Sequence, residues 1–302
     1  MSKLPVYKSW DEVPEGLATK TQLKQMGRKP AKGQEPVAQK RSRYPRTANY
    51  DLYEIDKAVE RKPASPAQLA ALEKARRQAK INERCHLCNT PFRYMDRSPV
   101  PRSDPPAGES AYVCRFCVDK KRSSKWAAEF LANPKAVILD SETAGLDDDD
   151  QIVEIAIIDP LGNVLLDTLV KPLGPIPAAA TAIHGITDEM VAEAHTFAQL
   201  LPRIEAIIED RSVAIYNAAF DFRLLRQSAQ AWGLESQTEA GYYCVMEAYA
   251  EWFGDWSSYF RSYTYQPLNG GHRALGDCQA TLALLREMAG LPGSLSSDRE
   301  RQ

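Results

Sequence analysis

From Lys135 onward, apolar runs of strand length alternate with segments of helical periodicity, and this alternation limits the fold more than any other feature of the chain. Residues 136–139 read as a buried strand, 152–159 as a second and 163–170 as a third, with Asp159-Pro-Leu-Gly162 as the turn between the last two. That opening is antiparallel. Helical periodicity follows over 190–194, 197–208, 220–231 and 274–288, with a further strand at 213–216. The pattern predicts an α/β domain over residues 135–289. The tail 290–302, made of Gly, Pro, Ser and charged residues, is predicted to be disordered.

The 302 residues carry a formal charge of only -2, yet the two halves differ in sign. Residues 1–134 hold 27 Lys and Arg against 15 Asp and Glu, whereas residues 135–302 hold 11 against 25. A basic half suits a polyanion. An acidic half that handles nucleic acid needs cations at the point of contact, which points to divalent metal. Residues 1–64, rich in Lys, Arg, Gln and Pro, are expected to form a basic N-terminal module or a partly ordered arm. Ser65 as N-cap, Pro66 at the first helical position and Gln68 completing a capping box then predict a helix with Leu69, Leu72 and Ala75 on one stripe. The first residues lack the apolar core of a signal peptide, and no run approaches the roughly 20 apolar residues of a membrane span. A cytoplasmic protein with no membrane partner is expected.

In a reducing compartment six cysteines argue against a disulfide framework. Cys85-His-Leu-Cys88 and Cys114-Arg-Phe-Cys117, separated by 25 residues, have the spacing of a tetrahedral four-cysteine zinc site. Redox chemistry, or His86 as a substitute ligand, are the alternatives. Residues 65–134 are therefore expected to hold a helix and a small zinc-ribbon-like module around one structural Zn2+, since four thiolates leave no position open for water. Its flanks carry Arg84, Arg93, Arg97, Arg102, Arg115, Lys120, Lys121, Arg122 and Lys125 with Phe92, Tyr94, Tyr112 and Phe116 interleaved, which suits a nucleic-acid surface; a solvated spacer would look the same. Cys244 and Cys278 are expected to be buried thiols.

Three acidic segments carry the chemistry. Asp140-Ser-Glu142 ends the first strand, and period-two geometry turns both carboxylates to one face. Asp221 falls in the first turn of a helix after Tyr216-Asn-Ala-Ala-Phe, and Asp277 follows His272-Arg-Ala-Leu-Gly at the mouth of the last helix. Each alone is compatible with a solvated strand end or a helix-dipole partner. In this order, Asp140, Glu142 and Thr143, then Asn217, Phe220 and Asp221, then His272, Ala274 and Asp277, the segments resemble the motifs of the DEDD exonuclease superfamily, in its histidine-bearing branch. The stretch Ala182-Ile-His-Gly-Ile-Thr187 is similar to the segment that the family carries between the first two motifs. By texture residues 135–289 look like the proofreading subunits of bacterial replicative DNA polymerases.

The resemblance implies a ribonuclease-H-like mixed sheet flanked by helices and a 3′-to-5′ exonuclease releasing nucleoside 5′-monophosphates. Asp140, Glu142, Asp221 and Asp277 are hard oxygen ligands for two Mg2+ or Mn2+ ions, with His272 as general base on the attacking water. Thr143, Leu146, Asn217 and Phe220 would hold the terminal nucleotide, although core packing would equally account for Leu146 and Phe220. DNA is favoured as substrate, in repair, proofreading or end processing, with a polymerase or repair protein as a partner. An RNA-trimming exoribonuclease and an inert zinc-dependent nucleic-acid-binding adaptor are the alternatives. Two features depart from the proofreading pattern. Ala144 stands where relatives repeat threonine, and residues 242–265 hold ten aromatics in place of a short leucine-bearing helix, rings that could stack on bases or pack in the core.

Overall fold

The computed structural model describes residues 4–44, 48–92, 99–235 and 241–291, so residues 292–302 of the expected tail, with Arg93, Tyr94 and Arg97, lie outside the described residues. The chain divides into two compact units, Met1–Arg77 and Gln78–Gln302.

In the first unit, β1 (Val6–Tyr7), β2 (Leu17–Thr19), α1 (Lys20–Gln25), β3 (Arg28–Lys29), β4 (Ala38–Lys40), β5 (Tyr50–Glu54) and β6 (Val59–Glu60) follow in order. A four-stranded sheet runs β1-β4-β5-β2, and β3 pairs with β6 apart from it. Thr19 opens α1 with a reciprocal capping box to Gln22. Ala18, Leu23, Tyr53 and Ala58 form a small core. The next helix, α2 (Pro66–Ile81), has the expected cap, Gln68 N–H to Ser65 Oγ at 3.2 Å and Ser65 N–H to Gln68 Oε1 at 2.9 Å. Its stripe is not a core face: Leu69 and Leu72 are exposed, and α2 buries none of its side chains.

The second unit contains β7 (Val100–Pro101), β8 (Tyr112–Val113), α3 (Arg115–Ala132), β9 (Ala136–Thr143), β10 (Ile152–Ile158) and β11 (Val164–Leu169). Then come α4 (Ala178–His184), α5 (Asp188–Val191), α6 (Phe197–Ile208), β12 (Ser212–Ile215), α7 (Ala218–Ala231) and β13 (Gly241–Cys244). The last elements are α8 (Val245–Phe253), β14 (Trp256–Ser257), β15 (Ser262–Tyr263) and α9 (Ala274–Met288). Its main sheet has the order β11-β10-β9-β12-β13. β10 runs antiparallel to β9 and β11, while β12 runs parallel to β9 and β13, giving the expected ribonuclease-H-like mixed sheet.

Period two splits β9 between two cores. Val137 and Leu139 pack with Phe197, Leu200 and Ile204 of α6 and Leu224 of α7. Ala136 and Ile138 pack with Ala127 and Phe130 of α3, Val245 and Tyr249 of α8 and Cys278, Leu282 and Leu285 of α9. The expected division at Asn133-Pro134 falls between α3 and β9, two elements that share this second core. Cys278 is buried as expected, its thiol against the carbonyls of Ile138 and Ala156 at 3.6 and 3.5 Å.

Candidate active site

The carboxylates meet where the sheet opens. β12 pairs with β9 only as far as Ala214↔Ile138, while β10 follows β9 on to Thr143, so β9 runs four residues beyond the predicted strand end. Past that point the Ser141 N–H has no strand partner on its β12 side. Asp221, in the first turn of α7, fills the gap: its Oδ1 accepts from the Ser141 N–H at 3.1 Å and the Ser141 hydroxyl at 2.7 Å. Ser141 faces α7, so Asp140 and Glu142 face the other side, towards α9 and Asp277.

Ligand atoms of Glu142, His272 and Asp277 all lie within 4.8 Å of one another. Asp140 and Asp221 are both buried, and the charges of Asp221, Asp277, Glu142 and Glu154 all act on Asp140. Burial, reinforced by these neighbours, pushes the Asp140 carboxyl well above its ordinary range. Burial and then Asp277, Glu154 and Asp221 lift Glu142 to about 8. Burial lifts Asp221 to about 7 against the two Ser141 donors. Asp277 is also raised by burial, although His272 pulls it the other way. The Asp277 Oδ1 is buried with no hydrogen-bond donor. An orphaned buried oxygen among mutually repelling hard oxygen donors is a set that divalent cations fit.

These shifts predict how the metal-free protein responds to pH. Carboxyls raised in the folded state keep protons that the unfolded chain has released. Their stabilising effect is complete below the unfolded values of 3.8 and 4.5 and is lost as pH rises through about 7 to 8. In chelator, the Tm should fall by several degrees between about pH 5 and pH 8, and millimolar Mg2+ or Mn2+ should remove most of that fall. A Tm that is flat or rising across this window would contradict the charge arrangement.

Two positioning features were not foreseen in the sequence. Glu154 on β10 lies directly opposite Glu142 in the register and is buried. Arg273, beside His272, neutralises it: Nε donates to both carboxylate oxygens at 3.1 and 3.0 Å, Nη2 adds a third bond, and the Ala274 N–H gives a fourth at 2.9 Å. This clamp fixes the start of α9, and with it His272 and Asp277, to the strand next to β9. The signal was a single carboxylate in the apolar run Ile152-Val-Glu-Ile-Ala. Gly270 is the second feature, since a Cβ there would overlap the Asp277 carboxylate. His272 is exposed and has a left-handed φ of 56°.

His184, in the segment between the motifs, accepts from the Ile186 N–H at Nδ1 (3.0 Å), so its Nε2 carries the proton and donates to the Thr143 carbonyl at 3.2 Å. Burial lowers its pKa, keeping the ring neutral. The bond ties the chain just after Glu142 to α4. The Thr143 hydroxyl donates to the Gly145 carbonyl at 2.8 Å, and Leu146 is 74% exposed. Leu146 is thus free of the core, whereas Phe220 is partly buried against it, with the Arg223 guanidinium 5.4 Å from its ring. Asn217 is the N-cap of α7, and its carbonyl accepts from the N–H groups of Phe220 and Asp221 at 3.0 and 3.3 Å.

The four paired cysteines also converge. Sulfur atoms of Cys85, Cys88, Cys114 and Cys117 lie within 4.8 Å of one another, with Cys85–Cys117 at 3.9 Å and Cys88–Cys114 at 3.7 Å. A tetrahedron of metal–sulfur bonds of about 2.3 Å has edges of about 3.8 Å, so the cluster could hold one metal ion. His86 points elsewhere, its Nδ1 3.5 Å from Glu109. Several of the predicted basic contacts are paired locally: Arg102 with Glu109, Arg115 and Arg122 with Asp119, and Arg122 with Glu251.

Residues 137–285 match the family model described as Exonuclease. The uncharacterized exonuclease CP81 of Escherichia phage 186 is 38% identical over 186 residues, covering 56% of this chain and 93% of the phage protein. Exodeoxyribonuclease 10 of Escherichia coli K12 is 32% identical over 167 residues, 52% of this chain and 69% of that protein. Among solved structures, exonuclease X in complex with 5′ overhanging duplex DNA covers 51% of this chain and 93% of its own, at 30% identity and a TM-score of 0.37. With its carboxylate motifs on a ribonuclease-H-like sheet and relatives matched over most of their length, the chain belongs to the exonuclease family of the DEDD superfamily.

Proposed function

We propose that the protein is a metal-dependent 3′-to-5′ exonuclease that releases nucleoside 5′-monophosphates from DNA. The observation that carries this reading is the convergence of Asp140, Glu142, Asp221, Asp277 and His272 at the open end of β9, with one Asp277 oxygen left unpaired. Asp140, Glu142, Asp221 and Asp277 would hold two Mg2+ or Mn2+ ions, which when bound offset charge on the attacking and leaving oxygens. His272, exposed beside Glu142 and Asp277, takes the proton of the attacking water. Glu154 and Arg273 keep that imidazole in register with the carboxylates. Leu146 offers an apolar face to the terminal nucleotide, with Thr143, Asn217 and Phe220 shaping the loop and helix start around it.

DNA is the favoured substrate because the relative in Escherichia coli is named an exodeoxyribonuclease. The four cysteines would hold one structural zinc ion, which suits a reducing, cytoplasmic setting in which thiolates persist. Among the described residues no helix is long and apolar enough to cross a membrane.

The test is digestion of end-labelled single-stranded DNA, duplex DNA and RNA with Mg2+ or Mn2+. Mononucleotides should leave the 3′ end of DNA first. Faster release from RNA would move the substrate to RNA, and the absence of product from all three would leave an inert nucleic-acid-binding adaptor.

A further inference from the structure

The aromatic stretch divides into two populations. Tyr249 is buried and Trp252 partly so within the second core, whereas Tyr259 and Phe260 are 87% and 75% exposed. Those two occupy the four-residue loop between β14 and β15, their rings edge to face with centroids 4.8 Å apart. A tight turn asks for Gly, Asn, Asp or Ser, and here Arg261 takes the left-handed conformation at φ 55°. Nothing in turn geometry requires two large rings at the tip, and exposed apolar area of this kind marks a contact surface.

The hairpin has a built support. Trp256 and Tyr263 pair edge to face across its strands at 5.3 Å, and the Thr264 N–H closes it on the Asp255 carbonyl at 2.8 Å. The Tyr263 hydroxyl donates to Asp119 Oδ2 at 2.9 Å on α3, the helix that leaves the second cysteine pair. Phe116, inside that pair, packs on Gly254, where a Cβ would overlap its ring; Lys120 stacks over Trp252 at 4.3 Å. The cluster of four cysteines therefore holds the platform on which the hairpin stands. Beyond the hairpin, the Gln266 carbonyl accepts from the Tyr216 hydroxyl, next to Asn217. Phe260 and Gln266 are six positions apart, so their Cα atoms stand no more than about 22 Å from one another.

Charge favours one occupant. The platform and hairpin carry Arg115, Lys120, Lys121, Arg122, Lys125 and Arg261 against Asp119, Glu129, Glu247, Glu251 and Asp255; Arg115, Arg122 and Lys125 are ion-paired with Asp119, Glu251 and Glu129, which leaves Lys120, Lys121 and Arg261 without an ion pair among the described residues. Paired rings with cations around them are the means by which proteins hold single strands without reading sequence.

Building on the exonuclease reading, we propose that Tyr259 and Phe260 form a base-stacking clamp, held by the four-cysteine module, for the single strand that feeds the catalytic carboxylates. The test compares wild type with a Tyr259→Ala/Phe260→Ala double variant in the full chain. Binding of a fluorescent 20-nucleotide DNA strand, followed by anisotropy with Ca2+ in place of Mg2+, should weaken by about tenfold or more. A strand of the same length carrying abasic sites should bind both proteins equally, because only the bases stack. Hydrolysis of the p-nitrophenyl ester of thymidine 5′-monophosphate, which has no second base to stack, should stay within about twofold, and Tyr259→Phe/Phe260→Tyr should bind like wild type. Equal affinity of wild type and double variant for the normal strand would overturn the clamp and assign the rings to a protein partner. Equal loss on the abasic strand would overturn it in favour of a structural effect. Failure of the wild type to hydrolyse either the strand or the ester in Mg2+ or Mn2+ would instead overturn the exonuclease reading, while the binding comparison still decides the clamp.

Discussion

Asp140→Asn should lower DNA hydrolysis by about 10³-fold or more while leaving the metal-free protein at least as stable as wild type. Stabilising charge on the attacking and leaving oxygens is worth several kcal/mol, and each 1.36 kcal/mol is a factor of about ten in rate. Asp140 is buried at the point where Asp221, Asp277, Glu142 and Glu154 all repel it, and an amide there offers a neutral oxygen in place of an anionic ligand. In the absence of cations the same repulsion is a destabilising term, and an uncharged side chain of equal size removes it. The two readouts move in opposite directions. A variant that merely misfolds would lose both activity and Tm, and wild-type turnover in a folded variant would remove Asp140 from the catalytic set. Asp277→Asn should behave in the same way, since its unpaired Oδ1 gains no donor from the surrounding protein.

The parts of this site that were legible in the sequence are those in which chemistry and local structure coincide. Asp140 and Glu142 end an apolar run that reads as a strand, and Asp221 and Asp277 each fall in the first turn of a clear helix. Glu154 was not legible because its meaning depends on a partner 119 residues away, and period two alone reports only a polar interruption. The sheet of the first unit was hidden for a different reason: its strands are two to five residues long, too short for alternation to be counted. β13 escaped because Gly-Tyr-Tyr-Cys is a parallel edge strand whose aromatics suit helix, strand or loop equally. The stripe on α2 misled in the opposite sense, since capping and propensity form that helix without a core to receive Leu69 and Leu72. Composition also could not reveal that Ala127 and Phe130, on the basic side of Pro134, belong to the same core as Cys278 and Leu285.

That shared core raises the expected effect of losing the metal at the cysteines. Cys114 is the N-cap of α3 as well as a ligand candidate: its Sγ accepts from the Cys117 N–H at 3.4 Å, and its own N–H donates to Cys85 Sγ at 3.2 Å. Structural zinc contributes on the order of 10 to 16 kcal/mol in small zinc-binding peptides, as much as the whole stability of a typical domain. Cys114→Ser should therefore reduce bound zinc from one ion per chain to near none and lower the Tm by more than about 10 °C. The damage should spread along α3, because the hydroxyl restores the cap but not the metal bond, and the first two turns of α3 carry Phe116 and Asp119 beneath the hairpin. Long strands should then bind weakly, as in the Tyr259→Ala/Phe260→Ala variant, while the thymidine nitrophenyl ester is still cleaved below the new melting temperature. If Cys114→Ser keeps the wild-type Tm, or if the wild type contains no zinc by elemental analysis, the four cysteines are not a structural metal site. In that case the tie between Tyr263 and Asp119 still links the hairpin to α3, and Asp119→Asn, which leaves every cysteine in place, becomes the variant expected to weaken strand binding.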